Sequence, residues 1–152
     1  IIEADEPLGF FKTISLDNIE PFTIVLHQPG LLHELRWDGN DKHEKALDIA
    51  NNYIWSSSTL YTDQVIEYRK NLFDRFIHSA DGITAATVHD FHASNNGDAE
   101  NGFVISRQTG MKTFSITQAV VQNNAVNFSH ADLLQGKRYS ETMLINNTAI
   151  KN

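Results

Sequence analysis

From Pro21 to Gln28 apolar and polar positions alternate, with Phe22, Ile24 and Leu26 set against Thr23, Val25 and His27. A period of two predicts a strand with one face turned inward. Pro29-Gly30 then supplies a turn, and Leu31 to Trp37 reads as the return strand of a hairpin closed by Asp38-Gly39. The polar stretch that follows predicts a loop to Lys45, then short strands near Ala46–Ile49 and Tyr53–Ser57. Residues 1–20 show no period and read as irregular, ending in a turn at Asp17–Pro21.

The period changes at Thr62. Stepping round Thr62–Ser79 at about 100° per residue gathers Val65, Ile66, Leu72, Phe73, Phe76 and Ile77 on one arc and Glu67, Asn71, Asp74, Arg75 and His78 on the other. Thr62 is placed to cap this helix, with Asp63 in its first turn. A second helix is expected from Ser79 to about His92, packing through Ile83, Val88 and Phe91. Ala93–Gly102 is the most loop-like stretch. Phe103–Arg107 and Met111–Gln122 read as a hairpin through Gln108-Thr109-Gly110, and Asn123-Asn124 turns the chain into a strand at Ala125–Ser129. From Gln135 onward no period is visible, and 135–152 is expected to be a partly disordered tail with an ordered start. Strands, then two helices, then strands predict an α+β fold with antiparallel sheets.

Arg69 falls inside the apolar arc of the first helix. A buried guanidinium needs a carboxylate, carbonyls or an anionic ligand. It either covers the core with its stem or forms a structural pair, or it faces a pocket. Just upstream, Trp55-Ser56-Ser57-Ser58-Thr59-Leu60-Tyr61 concentrates hydroxyls at the approach to the helix, where free amides favour anions. Thr113, Ser115 and Thr117 share one face of a period-two segment, with Phe114 and Ile116 opposite. That face is either a threonine ladder in solvent or the lining of a polar pocket. His89 and His92 have a helical ligand spacing, but no motif fixes a third ligand, so no metal and no cofactor are assigned.

At 152 residues the chain suits one domain. A formal charge of −7 argues against nucleic acid as the main partner. No stretch approaches the roughly eighteen apolar residues of a membrane helix. The absence of cysteine fits a reducing compartment, and a cytoplasmic location is the expectation. No glycine-flanked serine or phosphate loop points to a nucleophile elbow or a nucleotide.

Trp37-Asp38-Gly39, Ile54 to Tyr61, Arg69 with Phe73, Phe91-His92 and Lys112 to Gln118 occur in an order and spacing that resembles the NRDE family, also called the transport-and-Golgi-organisation family. The resemblance spans roughly residues 17–140. It implies the C-terminal portion, 1–152, of a longer single domain whose Met-Cys start and Asn-Arg-Asp-Glu motif are not in this chain. It also implies part of an N-terminal-nucleophile-hydrolase-like αββα sandwich. Ser56, Ser57, Ser58, Thr59, Tyr61 and Arg69 would then border the substrate cleft, with Thr113, Ser115 and Thr117 on a core strand near it. The implied activity is C–N (amide) hydrolysis by an N-terminal cysteine, which leaves this chain silent alone. The alternative implied by the resemblance is a non-catalytic binding or trafficking protein for an apolar or anionic ligand such as haem or lipid. Half a sandwich would leave a sheet edge and an apolar face uncovered, so the expectation is either burial by a copy of itself, a homo-oligomer, or a piece cut from a longer chain.

Overall fold

The computed structural model describes residues 1, 4–28, 30–57, 59–79 and 82–145. Its elements are α1 (Pro7–Thr13), β1 (Phe22–Gln28), β2 (Leu31–Trp37), β3 (Lys42–Leu47), α2 (Asp63–Ile77), α3 (Ala85–His92), β4 (Ser115–Gln122), β5 (Ala125–Asp132) and β6 (Lys137–Leu144). The class is α+β, with two separate three-stranded antiparallel sheets ordered β1-β2-β3 and β4-β5-β6. The chain forms two compact units, Ile1–Thr62 and Asp63–Asn152. No helix among the described residues is long and apolar enough to cross a membrane.

In the first unit the expected hairpin is present, with Phe22 opposite Trp37 and Gln28 opposite Leu31. The alternation of β1 appears as strict alternation of half-buried and exposed positions. Phe11, Leu16, Leu35 and Trp37 form the core, ringed by Leu8, Ile14, Phe22, Ile24 and Leu26. The Trp37 indole donates to Ile19 O at 2.9 Å. Residues 1–20 are therefore not irregular throughout. Pro7 at the head of a single short helix, where its missing N–H is harmless, carries Phe11 into this core. Seven residues are too few to show a helical period, so packing rather than pattern creates α1.

The third strand begins at Lys42, where a loop was expected, and it is an edge strand. In register with the core-facing positions of β2, Lys42 pairs with Trp37 and Glu44 with Leu35. Lys42 Nζ donates to Lys12 O at 3.0 Å and to Ile14 O at 2.5 Å, which satisfies carbonyls at the end of α1. Lys12 closes on Glu44 at 2.8 Å and, with its hydrogen bond as the main cause, holds that carboxyl below its usual range. Charges on an edge strand protect it from pairing with other chains, and they also erase the alternation that would have revealed it. Tyr53–Ser57 belongs to no strand, so the strand expected there does not form. Trp55 instead donates from its indole to Glu34 at 2.9 Å.

The second unit opens with α2, whose half-buried and exposed residues reproduce the expected arcs, with Arg69 its one fully buried residue among those described. The next helix starts at Ala85, later than expected. Thr84 caps it, accepting from Thr87 N while Thr87 Oγ1 accepts from Thr84 N. Ile83 precedes that cap and is exposed, whereas Val88 and Phe91 pack as expected. Phe91 stacks on Phe76 (centroids 4.6 Å apart) and meets Phe103 at 4.4 Å and Phe73 at 6.1 Å. These rings join the two helices to the segment leading into the sheet.

The expected hairpin at 103–122 is reduced to one bridge, Ser106 to Lys112, and the strand proper begins at Ser115. It lies at the edge of its sheet, with β5 in the centre, so residues 112–118 do not form a central strand as the sandwich required. Asn123 and Asn124 both have positive φ (50° and 57°), the geometry of a two-residue hairpin turn. Beyond the expected end at Ser129, β5 runs on to Asp132 and is followed by β6. Every residue of β6 is exposed, so no buried face imposed a period on its sequence. Residues 146–152 of the expected tail lie outside the described residues.

Candidate functional site

Arg69 reaches its site because α2 turns it inward among Val65, Leu72 and Phe76, leaving it 8% exposed. Its Nη1 donates to Asn101 O at 3.1 Å and to Gly102 O at 2.6 Å. The guanidinium carbon stands 4.4 Å from the centroid of the Phe103 ring. Carbonyls here meet the requirement for a partner, and a flat cation on an aromatic face adds to it.

The loop that presents those carbonyls is built by Asp98. Its Oδ1 accepts from the N–H groups of Glu100 and Asn101, and its Oδ2 from the Asn101 side chain. These hydrogen bonds, that from the Asn101 side chain foremost, hold the Asp98 carboxyl below its usual range. Gly102 N donates to Asp98 O at 2.8 Å. A Cβ at Gly102 would sit 2.1 Å from Asn95 O, so only glycine fits this crossing. The stretch whose composition reads as loop is thus an ordered clamp on Arg69.

Against Phe103 lies a cavity of about 400 Å3, lined on one side by Val88, His89 and His92 of α3 and on the other by Thr113 and the first half of β4. Gln118 ties the two walls together by donating to Ala85 O at 2.7 Å. His92 packs edge-on to Phe103, with centroids 5.3 Å apart. Burial first, then the positive charges of Arg69 and His89, push its imidazole below the ordinary histidine value. At neutral pH His92 is therefore uncharged and presents one donor and one acceptor. The cavity combines apolar walls (Val88, Phe103, Ile116) with a few polar groups, the composition of a small-molecule site.

Of the sequence-selected residues, Thr113, Ser115 and Thr117 line this cavity, while Arg69 lies behind Phe103 and sets that wall. Thr113 Oγ1 accepts from Ile105 N at 2.9 Å and donates to Phe103 O at 3.3 Å, so its hydroxyl organises the wall. Ser115 and Thr117 are exposed, and Thr117 Oγ1 lies 2.8 Å from His130 Nδ1 on the paired strand. That contact is the ladder reading of the hydroxyl face. Ile116 turns inward as expected, but Phe114 precedes the strand and is 63% exposed.

The other hydroxyl run lies in the first unit. Ser56, Ser57 and Thr59 line a cavity of about 260 Å3 with Trp37, Trp55, Phe22 and Thr23. Ser57 Oγ and Thr59 Oγ1 are 3.0 Å apart, and Tyr61 N donates to Ser57 O. Ser58 lies outside the described residues. Among the described residues no group of three or more His, Asp or Glu converges to hold a metal.

His89, His92, Phe103 and Gln118 were not selected from the sequence as lining. The only signal was the three-residue spacing of the histidines beside Phe91, which suits a helix end as well as a pocket wall. No family model, curated protein or solved structure matches the chain.

Proposed function

We propose that the second unit binds a compact apolar carboxylate, with its hydrocarbon against Val88, Phe103 and Ile116 and its head group beside His92. The carrying observation is the cavity of about 400 Å3 whose polar lining includes an uncharged imidazole under the positive influence of Arg69 and His89. Its size falls in the lower part of the range for small-molecule sites. An anion placed there opposes the repulsion from Arg69 that, after burial, disfavours the charged form of His92, so binding favours proton uptake. In this reading the chain is the ligand-holding part of an NRDE-type protein, a view supported by the order and spacing of its motifs. Binding is favoured over amide hydrolysis because the hydroxyl of Thr113 and Nη1 of Arg69 are engaged with backbone groups, which removes them as donors to a developing oxyanion.

Calorimetric titration with octanoate tests the reading. The expected result is saturable binding with proton uptake, seen as a heat that varies with buffer ionisation enthalpy, and loss of binding when Val88→Trp fills the cavity. No saturable heat, or equal binding by the folded Val88→Trp variant, refutes it.

A further inference from the structure

The last strand of the second sheet is exposed on both faces, and among the described residues nothing pairs with its outer edge. Which backbone groups are free follows from the ladder. Ile145 N donates to Asn124 O, in register with the pairing of β6 and β5. Antiparallel hydrogen-bonded pairs alternate, so Lys137, Tyr139, Glu141 and Met143 bond inward to β5. The N–H and C=O groups of Arg138, Ser140, Thr142 and Leu144 point outward. The bond from Leu133 N to Phe114 O sets the same alternation on the other side of β5.

We infer that β6 pairs antiparallel with β6 of a second copy about a two-fold axis at Tyr139. In a two-fold edge pairing, residues on the same sheet face must oppose each other, which permits only every second register. With Tyr139 opposite its own copy, Lys137 of each chain faces Glu141 of the other, making two identical ion pairs. Arg138 and Ser140, whose backbone groups are free, become the hydrogen-bonded pair. Moving the axis to Glu141 sets that carboxylate against itself, and moving it to Arg138 opposes two guanidinium groups. An axis at Ser140 places Lys137 opposite Met143. Of the axes along β6, that at Tyr139 alone sets opposite charges against each other.

The same face carries Val121, Phe128, Tyr139 and Met143, all at least 39% exposed. Pairing sets the two Tyr139 rings side by side, each already beside His130 of its own chain (centroids 6.3 Å apart). The overlap covers only Lys137 to Glu141, so the association is weak and concentration-dependent.

The chain has no cysteine, so one introduced thiol reports the register without background. Directly opposed residues of a non-hydrogen-bonded antiparallel pair have Cα atoms about 4.5 Å apart, within disulfide reach. Under mild oxidation Tyr139→Cys should form a disulfide dimer much faster than Met143→Cys, whose opposing position is 135 in the second copy. Sedimentation velocity supplies the second arm. Lys137→Glu and Glu141→Lys should each be monomeric at concentrations where the parent chain associates. An equimolar mixture of the two should dimerise again, because each Glu then faces a Lys. Recovery on mixing also shows that both variants fold. Equal crosslinking at positions 139 and 143, or a mixture as monomeric as its components, overturns the inference.

Discussion

Replacing Arg69 by leucine probes the joint on which the second unit depends. Leucine keeps the apolar stem but removes the donors to Asn101 O and Gly102 O and the cation on the Phe103 ring. Were the partner a carboxylate side chain, both charges could be exchanged for apolar groups at little cost. Backbone carbonyls cannot be deleted, so they stay behind without their donor. A buried unsatisfied acceptor costs about 1–3 kcal/mol. The Gly102 bond is buried and the Asn101 bond partly so, which places the second near the lower limit. The ring contact adds about 0.5–1 kcal/mol. Relief from desolvating the guanidinium offsets part of this, leaving an expected loss of about 2–4 kcal/mol. Arg69→Lys keeps a charge but not the planar fork and should lose roughly half as much. Urea unfolding followed by far-UV circular dichroism measures both, with an unchanged m-value as the check on two-state behaviour. A leucine variant within about 0.5 kcal/mol of the parent, the range of ordinary surface substitutions, would refute the assignment of Arg69 as the clamp on 101–103.

Three further outcomes follow from the same region. Gly102→Ala, which forces a Cβ to within 2.1 Å of Asn95 O, should destabilise by about 1–3 kcal/mol or more in the same assay. Thr113→Val leaves Ile105 N without the acceptor it has at 2.9 Å and should cost about 1–3 kcal/mol despite near-equal volume. His92 gives a pH signature: its folded pKa is lowered while the unfolded value is about 6.5. Below about pH 6.5 the unfolded chain binds the extra proton, so stability falls as pH falls through that value and is flat in this respect above it. Unfolding midpoints measured across this window should show a shallower acid loss in His92→Gln than in the parent.

How much of this was readable follows from where a face is buried. α2 was legible to the residue because one side of it packs and the other does not; β1 was legible for the same reason at period two, and β2 as its return strand after Pro29-Gly30. β3 and β6 were hidden because edge strands with charged or wholly exposed side chains carry no alternation. α1 was hidden because about two turns cannot display a period. At the site, the inward position of Arg69 was visible in the helical arc, but its partners were not. Two of them are main-chain carbonyls of a loop whose sequence marks are Asp98 and Gly102 among many similar residues. Thr113 and Ser115 reach the cavity from a segment that leaves the strand at Ser115, so a single face assigned to 113–117 mixed a wall-building hydroxyl with exposed ones.

The ligand site itself is tested most directly by nuclear magnetic resonance titration of the isotopically labelled chain with octanoate at pH 7. The account predicts saturable, parallel shifts of the His92 imidazole, the Phe103 ring and the Ile116 methyl groups, with the His92 signals moving toward those of the protonated ring. Phe128 and Met143, on the exposed sheet face, should stay in place. Shifts confined to that face, or an imidazole of His92 that does not move at saturation, would contradict it.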